Sequence, residues 1–468
     1  MISLLSALGA GTWLLRSFSK NRAFLLVAIF LAWQFMLKVL GVVFLDVAGP
    51  IYSDEVFTEV GGVGASAPLM ILFVLIPLVL LKLAFSRFSA RSIVAPEKHL
   101  DRGGVTFGDI AFGLFSVFVC CLFVDLIRIG NIPFFNQIER FEYKGGVFHD
   151  LLVSYLFLIA YVIGYILARG RILTGRWDLR FAAIILSLFV YLFLVGHRFG
   201  SFYVLISFCL VPLAALWVAP RCGIAVAPAP KRRSALQRFS TSRSAITLFG
   251  IVLASFVLVA MANSLLNVRD NDVGDSLLQR LLVQPVHLYW LTWERLVNGQ
   301  IEGISAATQF LSDPFDAARN TGIQYLMFLH LGLDRASQVF EGQEVDYAGG
   351  YPEILIEVGG VPGAILAAVA VSLIMVSLYR LCVVSVCRGH FLSSVLSMYV
   401  CFGVLNLFLG GMVSFFLAGT YWFKIVALLV VIWVDRSLAR RGRRLFPWIA
   451  IPRVAARRRP RVAGQLAT

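Results

Sequence analysis

The stretch AFLLVAIFLAWQFMLKVLGVVFLD, residues 23–46, carries a single charge, Lys38, before its closing aspartate. A helix of this length is long enough to cross a hydrocarbon core about 30 Å thick. Comparable apolar stretches follow at 61–86, 106–126, 149–168, 181–196, 199–219, 245–267, 352–379, 391–410 and 412–434. We therefore predict an all-α fold, a polytopic membrane bundle of about ten transmembrane helices.

The basic residues between these stretches predict the orientation. Together with Lys82, the segments 1–22, 87–105, 169–180, 220–244, 380–390 and 435–468 hold 30 of the 41 Lys and Arg residues. Such residues concentrate on the cytoplasmic side, so both termini are expected in the cytoplasm. Residues 2–15 are apolar but lack a preceding basic segment, and we expect them to lie in the membrane interface rather than to be cleaved.

The chain divides by this pattern into four parts. Residues 1–267 contain predicted transmembrane helices 1–7, residues 352–434 contain helices 8–10, and residues 435–468 form a basic cytoplasmic tail. Between them, residues 268–351 form a periplasmic loop far longer than an ordinary connection. This loop is rich in Leu and aromatic residues, which predicts a mostly helical cap on the outer side.

Composition excludes several classes of protein. Hydrophobic residues make up 59% of the chain and charged residues 14%, too apolar for a soluble protein of this length. The net charge of +15 resides in short loops and the tail, where it sets topology and meets lipid headgroups, so nucleic-acid binding is not expected. No cysteine falls in an outer segment, and no motif indicates a metal or a cofactor.

Three segments of the chain share a pattern with a known family: GNIPFFNQIERFEY at 130–143, GHRFGSF at 196–202 and YAGGYPEILIEVGGVPGAI at 347–365. They resemble the Wzy-type O-antigen polymerases, membrane enzymes that polymerise oligosaccharide repeat units. The resemblance implies a glycosyltransferase in the bacterial inner membrane whose substrate is an undecaprenyl-pyrophosphate-linked oligosaccharide, as in lipopolysaccharide biosynthesis. It also implies membrane lipids, a chain-length regulator and a flippase of the same pathway as partners, and no cofactor.

Arg198 stands between two apolar runs with almost no polar loop around it. A charge in such a place is costly unless it is paired, and a guanidinium matches the oxygens of a diphosphate. We expect Arg198 to bind the substrate pyrophosphate, with the flanking His197 near a sugar. The alternative is an interfacial arginine that reaches water or lipid phosphate.

The segment LLQRLLVQPVHLYWLTWERL, residues 277–296, reads as one amphipathic helix. Its polar face would present Arg280 for phosphate, Gln284 for sugar, and His287 as a general base. The alternative is a solvated surface of a cap helix, which is the commoner role of a polar stripe.

Glu353 and Glu357 lie four residues apart where the eighth span begins, so both carboxylates share one helical face. One of them would take the proton of an acceptor hydroxyl, or both would neutralise Arg198 or Arg280. Gly349 and Gly350 would allow substrate or a loop to approach closely. Weaker candidates are Arg128 and Arg140 for pyrophosphate, and Tyr143, Tyr347 and Tyr351 for sugar.

Two other functions remain open on the sequence. A lipid-linked glycan flippase or transporter would share the polytopic, basic-inside pattern, although no internal repeat is found. An O-antigen ligase-like transferase would share the donor site and differ in its acceptor.

Overall fold

A computed structural model describes residues 1–53, 56–62, 64–86, 107–136, 143–197, 199–222, 224, 226, 279–301, 303, 322–331, 349–413, 416 and 419–440. Within these ranges the chain is helical apart from one short antiparallel hairpin. Its strands are β1, Ile51–Ser53, and β2, Thr58–Val60, with Ile51 opposite Val60.

The helices follow the apolar stretches of the sequence. They are α1 Ile2–Lys20, α2 Arg22–Ala48, α3 Ala67–Ser86, α4 Phe107–Ile129, α5 Pro133–Asn136, α6 Val147–Thr174, α7 Arg180–Leu194, α8 Phe199–Leu210, α9 Ala215–Val218, α10 His287–Val297, α11 Gly322–Leu331, α12 Glu353–Arg388, α13 Phe391–Gly410 and α14 Gly419–Arg440. Buried aromatic rings from α2, α6, α8 and α13 fill the centre of the bundle. There the rings of Phe157 and Phe402 stack with centroids 3.8 Å apart.

Seven helical segments in the described ranges are long and apolar enough to cross a membrane. They are Arg22–Ala48, Ala67–Ser86, Gly108–Asn136, Val147–Thr174, Gly200–Cys222, Glu353–Arg388 and Phe391–Gly410. The protein is therefore a polytopic helical membrane protein, as predicted. Of the other predicted spans, α7 has 15 residues, α14 has 22 residues and includes Lys424, Asp435 and Arg436, and 245–267 lies outside the described residues.

The N-terminal helix differs from the prediction. Asn21 joins α1 to α2 at one end, while the Ser3 hydroxyl donates to the Asp46 carboxylate, 2.6 Å away, near the other end of α2. Helix α1 thus runs antiparallel along α2 for about 28 Å at 1.5 Å per residue. Leu4, Leu5, Leu8 and Leu15 of α1 are exposed, whereas Leu14 packs against the core. The structure thus places Met1 and Asn21 beside opposite ends of α2, whereas the sequence assigned residues 1–22 to one cytoplasmic segment. The expectation that residues 2–15 lie in the membrane interface stays a prediction.

This arrangement predicts the sidedness of the N-terminus. An epitope tag before Met1 should be accessible from the side where residue 310 is labelled, and protected on the side where residues 95, 230 and 450 are labelled. Single-cysteine labelling of intact cells, in a background without the native cysteines, measures each position. Labelling of the N-terminus together with residue 95 would contradict the antiparallel α1.

Helix α2 ends and α3 begins at one place, which we call the Asp46 end of the bundle. Helix α13 ends against the Gly349-Gly350 turn that precedes α12, beside Phe35 and Lys38 of α2. Asp46 accepts hydrogen bonds from the Ser66 hydroxyl at 2.7 Å and the Ala67 backbone N–H at 3.1 Å, which caps the start of α3. The candidate site is built beside it.

Candidate functional site

Two buried carboxylates begin α12. Glu353 and Glu357 are fully buried and lie one helical turn apart, and each has a cation from another element. Lys38 Nζ of α2 is 3.8 Å from Glu353 Oε1, and Arg295 Nε of α10 is 3.2 Å from Glu357 Oε1. These four side chains, which we call the carboxylate cluster, carry two positive and two negative formal charges. Among the described residues the partners are therefore Lys38 and Arg295, which the sequence did not predict; the side chains of Arg198 and Arg280 lie outside the described residues, so the predicted pairing with them stays a prediction.

Helix α12 is broken directly after these carboxylates. Gly360 has φ 59° and ψ −177°, which separates the short segment 353–359 from the long helix that follows. Pro362 has no N–H for the preceding turn, and the Glu357 carbonyl accepts a hydrogen bond from the Gly303 N–H at 3.1 Å. Broken helices in membrane proteins occur where the backbone is buried in protein or lines a cavity, and they often carry binding sites.

The predicted amphipathic helix over 277–296 is interrupted. Residues Gln279–Val283 form a π-helical turn, and α10 begins only at His287. Pro285 explains the break, because it lacks an N–H and disfavours a helical conformation in the residue before it. Arg280 and His287 therefore do not share one helical face, and Gln284 lies in the turn between them. The side chain of Arg280 lies outside the described residues.

The first turn of α10, His287–Trp290, is buried against the bundle, whereas Glu294 and Val297 further along this helix are exposed. The Tyr289 hydroxyl donates to the Ser66 carbonyl at 2.8 Å, and a Cβ placed on Gly41 of α2 would lie 2.4 Å from the Leu282 carbonyl oxygen. A Cβ on Gly349 would be 3.5 Å from Glu353 Oε1 and 3.7 Å from Leu288 of α10. Helix α10 thus covers the Glu353 side of the carboxylate cluster.

Burial changes the chemistry expected of His287. Burial, helped by the charge of His330, lowers the pKa of His287 to about 3, and burial together with Arg295 lowers the pKa of His330 to about 3. Both imidazoles are neutral at neutral pH and are weak bases. The expectation that His287 has a pKa near the operating pH is corrected, which leaves the carboxylates as the stronger bases.

Tyr351 is a structural residue. Its ring packs against Phe35, Phe73 and Phe408, its hydroxyl donates to the Phe73 carbonyl at 3.0 Å, and it is fully buried. No ring face is accessible, so the predicted sugar contact is wrong in this structure. Its carbonyl oxygen accepts a hydrogen bond from Lys38.

Gly350 allows the turn before α12 to pack closely against the end of α13. It has φ 107°, and a Cβ there would lie 2.3 Å from the Gly410 carbonyl oxygen. Of the two close approaches that the sequence left open, by substrate or by protein backbone, the structure shows the second, to the end of α13.

A second group of polar side chains, the histidine cluster, consists of Tyr143, His149, Tyr191 and His197. His149 Nδ1 is 3.1 Å from the Tyr191 hydroxyl, and the His149 and His197 ring centroids are 5.7 Å apart. The Tyr143 ring meets His149 edge-on at 5.2 Å. The structure thus joins the predicted Tyr143 and His197 to two residues that sequence reasoning missed.

The histidine cluster adjoins Arg198 in the chain. Arg198, Arg140 and Tyr347 lie outside the described residues, whereas Arg128 is exposed at the end of α4. His197, directly before Arg198, is buried, and so are Phe202 and Tyr203 further along α8, whereas Gly200 between them is exposed. Whether Arg198 lies at headgroup depth or within the bundle stays a prediction from the sequence.

The two cations of the carboxylate cluster were absent from the predicted site. Lys38 could have been predicted from the sequence, because it is the one charge inside the apolar stretch 23–45 and a buried charge in a span needs a partner. Arg295 could not, because its sequence neighbours Glu294 and Leu296 suit an ordinary helix surface.

The Arg295–Glu357 pair ties α10 to α12, and we expect Arg295→Ala to destabilise the protein by about 2 kcal/mol, because it leaves a buried carboxylate without its cation. Thermal unfolding of the purified protein in detergent measures this. The double variant R295A/E357Q should recover most of the loss, and Arg176→Ala, which removes an exposed arginine, should cost almost nothing. Equal midpoints for R295A and the wild type would contradict the tie.

Part of the chain matches a protein-family model. A family of unknown function, DUF6418, matches residues 316–424, a range that includes the Gly349-Gly350 turn, both carboxylates and the broken helix α12. No curated protein and no solved structure matches the chain.

Proposed function

We propose that this protein is a membrane glycosyltransferase that polymerises undecaprenyl-pyrophosphate-linked oligosaccharide repeat units at the outer face of the bacterial inner membrane. The observation that carries the proposal is the carboxylate cluster, which lies under α10 at the start of a broken membrane helix. The three sequence segments that resemble O-antigen polymerases support it. Segment 196–202 contains Arg198, and segment 347–365 contains Glu353 and Glu357. Segment 130–143 ends at Tyr143 of the histidine cluster.

The reaction needs a base and a site that stabilises a leaving diphosphate. The acceptor sugar hydroxyl attacks the anomeric carbon of the donor, and a new glycosidic C–O bond forms as the bond to the pyrophosphate breaks. Glu353 takes the hydroxyl proton. Arg198, with Arg280, neutralises the charge that develops on the departing lipid pyrophosphate.

Access to Glu353 requires movement of α10. In this structure Glu353 is fully buried, and a Cβ on Gly349 would lie 3.5 Å from Glu353 Oε1 and 3.7 Å from Leu288 of α10. An acceptor hydroxyl reaches the carboxylate when α10 shifts away from the start of α12. Closure over the bound substrate would exclude water, which competes with the acceptor hydroxyl as a nucleophile.

A flippase is the second candidate, and the broken helix α12 favours it, since transporters often bind substrate where a helix is interrupted. The length distribution of surface polysaccharide in a deletion strain separates the possibilities. Single capped repeat units, with long chains restored by the wild-type gene, would support the polymerase. Absence of surface glycan would favour a flippase or a ligase-like transferase, and a normal distribution would overturn all three.

A further inference from the structure

Lys38 occupies an unfavourable place for a charge. It lies ten residues before the end of α2, about 15 Å along the helix, and its exposed fraction is 5%. An ammonium so placed is desolvated and remains charged only beside a compensating group. A lysine in this apolar stretch therefore needs its partners, Tyr351 and Glu353, to stabilise the charge, and we ask what it does for them in return.

Lys38 and Glu353 form an ion pair, but their charged groups are too far apart for a hydrogen bond. Lys38 Nζ donates to the Tyr351 carbonyl, and its 3.8 Å separation from Glu353 Oε1 exceeds the usual length of a charge-assisted hydrogen bond. Neither oxygen of Glu353 accepts a hydrogen bond from the residues that the structure describes. The carboxylate is thus charge-compensated while its lone pairs stay available to another donor.

Among the residues that the structure describes, the other titratable groups around Glu353 do not replace Lys38 as its cation. His287 of α10 and His330 of α11 are neutral, as their lowered pKa values require. Burial raises the pKa of Tyr289 well above its ordinary value, so this phenol stays neutral as well. Glu357 on the same helix is a like charge and has its own partner in Arg295.

We propose that Lys38 is a positioning residue for the transfer reaction, which holds Glu353 in its carboxylate form and so keeps it able to accept the proton of the acceptor hydroxyl. The inference rests on the proposed function. Its physical basis is that a buried carboxyl group without a nearby cation takes up a proton. A protonated Glu353 cannot act as a base, even if the protein remains folded.

The protonation state of Glu353 can be tested without catalysis. Dicyclohexylcarbodiimide reacts with protonated carboxyl groups in apolar surroundings and spares carboxylates. At pH 7 we expect Lys38→Met, or Lys38→Gln if the Met variant does not accumulate, to be labelled at Glu353 at least tenfold more than the wild type. Mass spectrometry locates the label, E353Q in the same background removes it, and Lys20→Met, which removes an exposed lysine, matches the wild type.

The pH profile of polymerisation by membranes supplied with lipid-linked repeat units gives the second readout. The acidic limb should move upward by at least one pH unit in K38M, while K38R, which keeps the charge, should retain the wild-type profile. Unchanged labelling with an unchanged profile would overturn the proposal and reduce Lys38 to a structural counter-ion. Absence of polymerisation by the wild type would instead overturn the proposed function, since labelling needs no activity.

Discussion

Replacing Arg198 by alanine should lower polysaccharide polymerisation on the order of a hundredfold, with the protein still present in the membrane. Loss of one charged contact to a developing oxyanion in a water-poor site costs about 3 kcal/mol of transition-state stabilisation. His197, directly before Arg198, is buried, and so is Tyr203 of α8, whose hydroxyl donates to the Ile29 carbonyl at 2.6 Å.

The lysine variant separates phosphate recognition from charge balance. Arg198→Lys keeps the positive charge but loses the planar fork that binds two oxygens at once, so we expect a defect close to that of the alanine variant. Arg176→Ala, at an exposed position, is the matched control and should leave chain lengths unchanged. Wild-type chain lengths from R198A at normal expression would show that Arg198 is only an interfacial anchor.

The membrane fold was predictable because the bilayer imposes its requirement locally. Every spanning helix must be apolar over about 20 residues, and this shows in the sequence without any knowledge of tertiary contacts. The predicted span 23–46 corresponds to α2, Arg22–Ala48, and 391–410 matches α13. Helix α1 was missed because its Ser and Gly residues weaken the apolar signal, while its position depends on a contact between Ser3 and Asp46.

The candidate site was predictable only in part, because its partners are distant in the chain. Glu353 and Glu357 can be recognised in the sequence as two carboxylates in an apolar segment. The pairing of Glu353 with Lys38 cannot, because Lys38 donates to Tyr351, which is 313 residues away in the chain. Sequence spacing within one helix identifies a shared face, but it carries no information on which other helix faces it. His287 shows the same limit, since its burial, and hence its low pKa, depends on packing of α10 against the bundle.

Glu353→Gln should abolish most polymerisation, by a factor of about 10² to 10⁴, the usual contribution of a general base. The amide keeps the shape of the side chain but cannot accept the acceptor proton. The variant also leaves Lys38 buried without its counter-charge, so the amount of folded protein should fall as well. Activity therefore has to be expressed per folded molecule, measured by size-exclusion chromatography in detergent.

The double variant K38M/E353Q separates catalysis from folding at this position. Removing both charges should restore the amount of folded protein, because no uncompensated charge remains buried, while activity per molecule stays as low as in E353Q. Glu357→Gln should reduce activity less, since Arg295 is partly exposed and reaches water. Glu294→Gln, on the exposed side of α10, is the control and should behave as the wild type. Wild-type activity in E353Q, E357Q and their double variant would remove the carboxylates from the site and leave them as counter-ions that hold α2, α10 and α12 together.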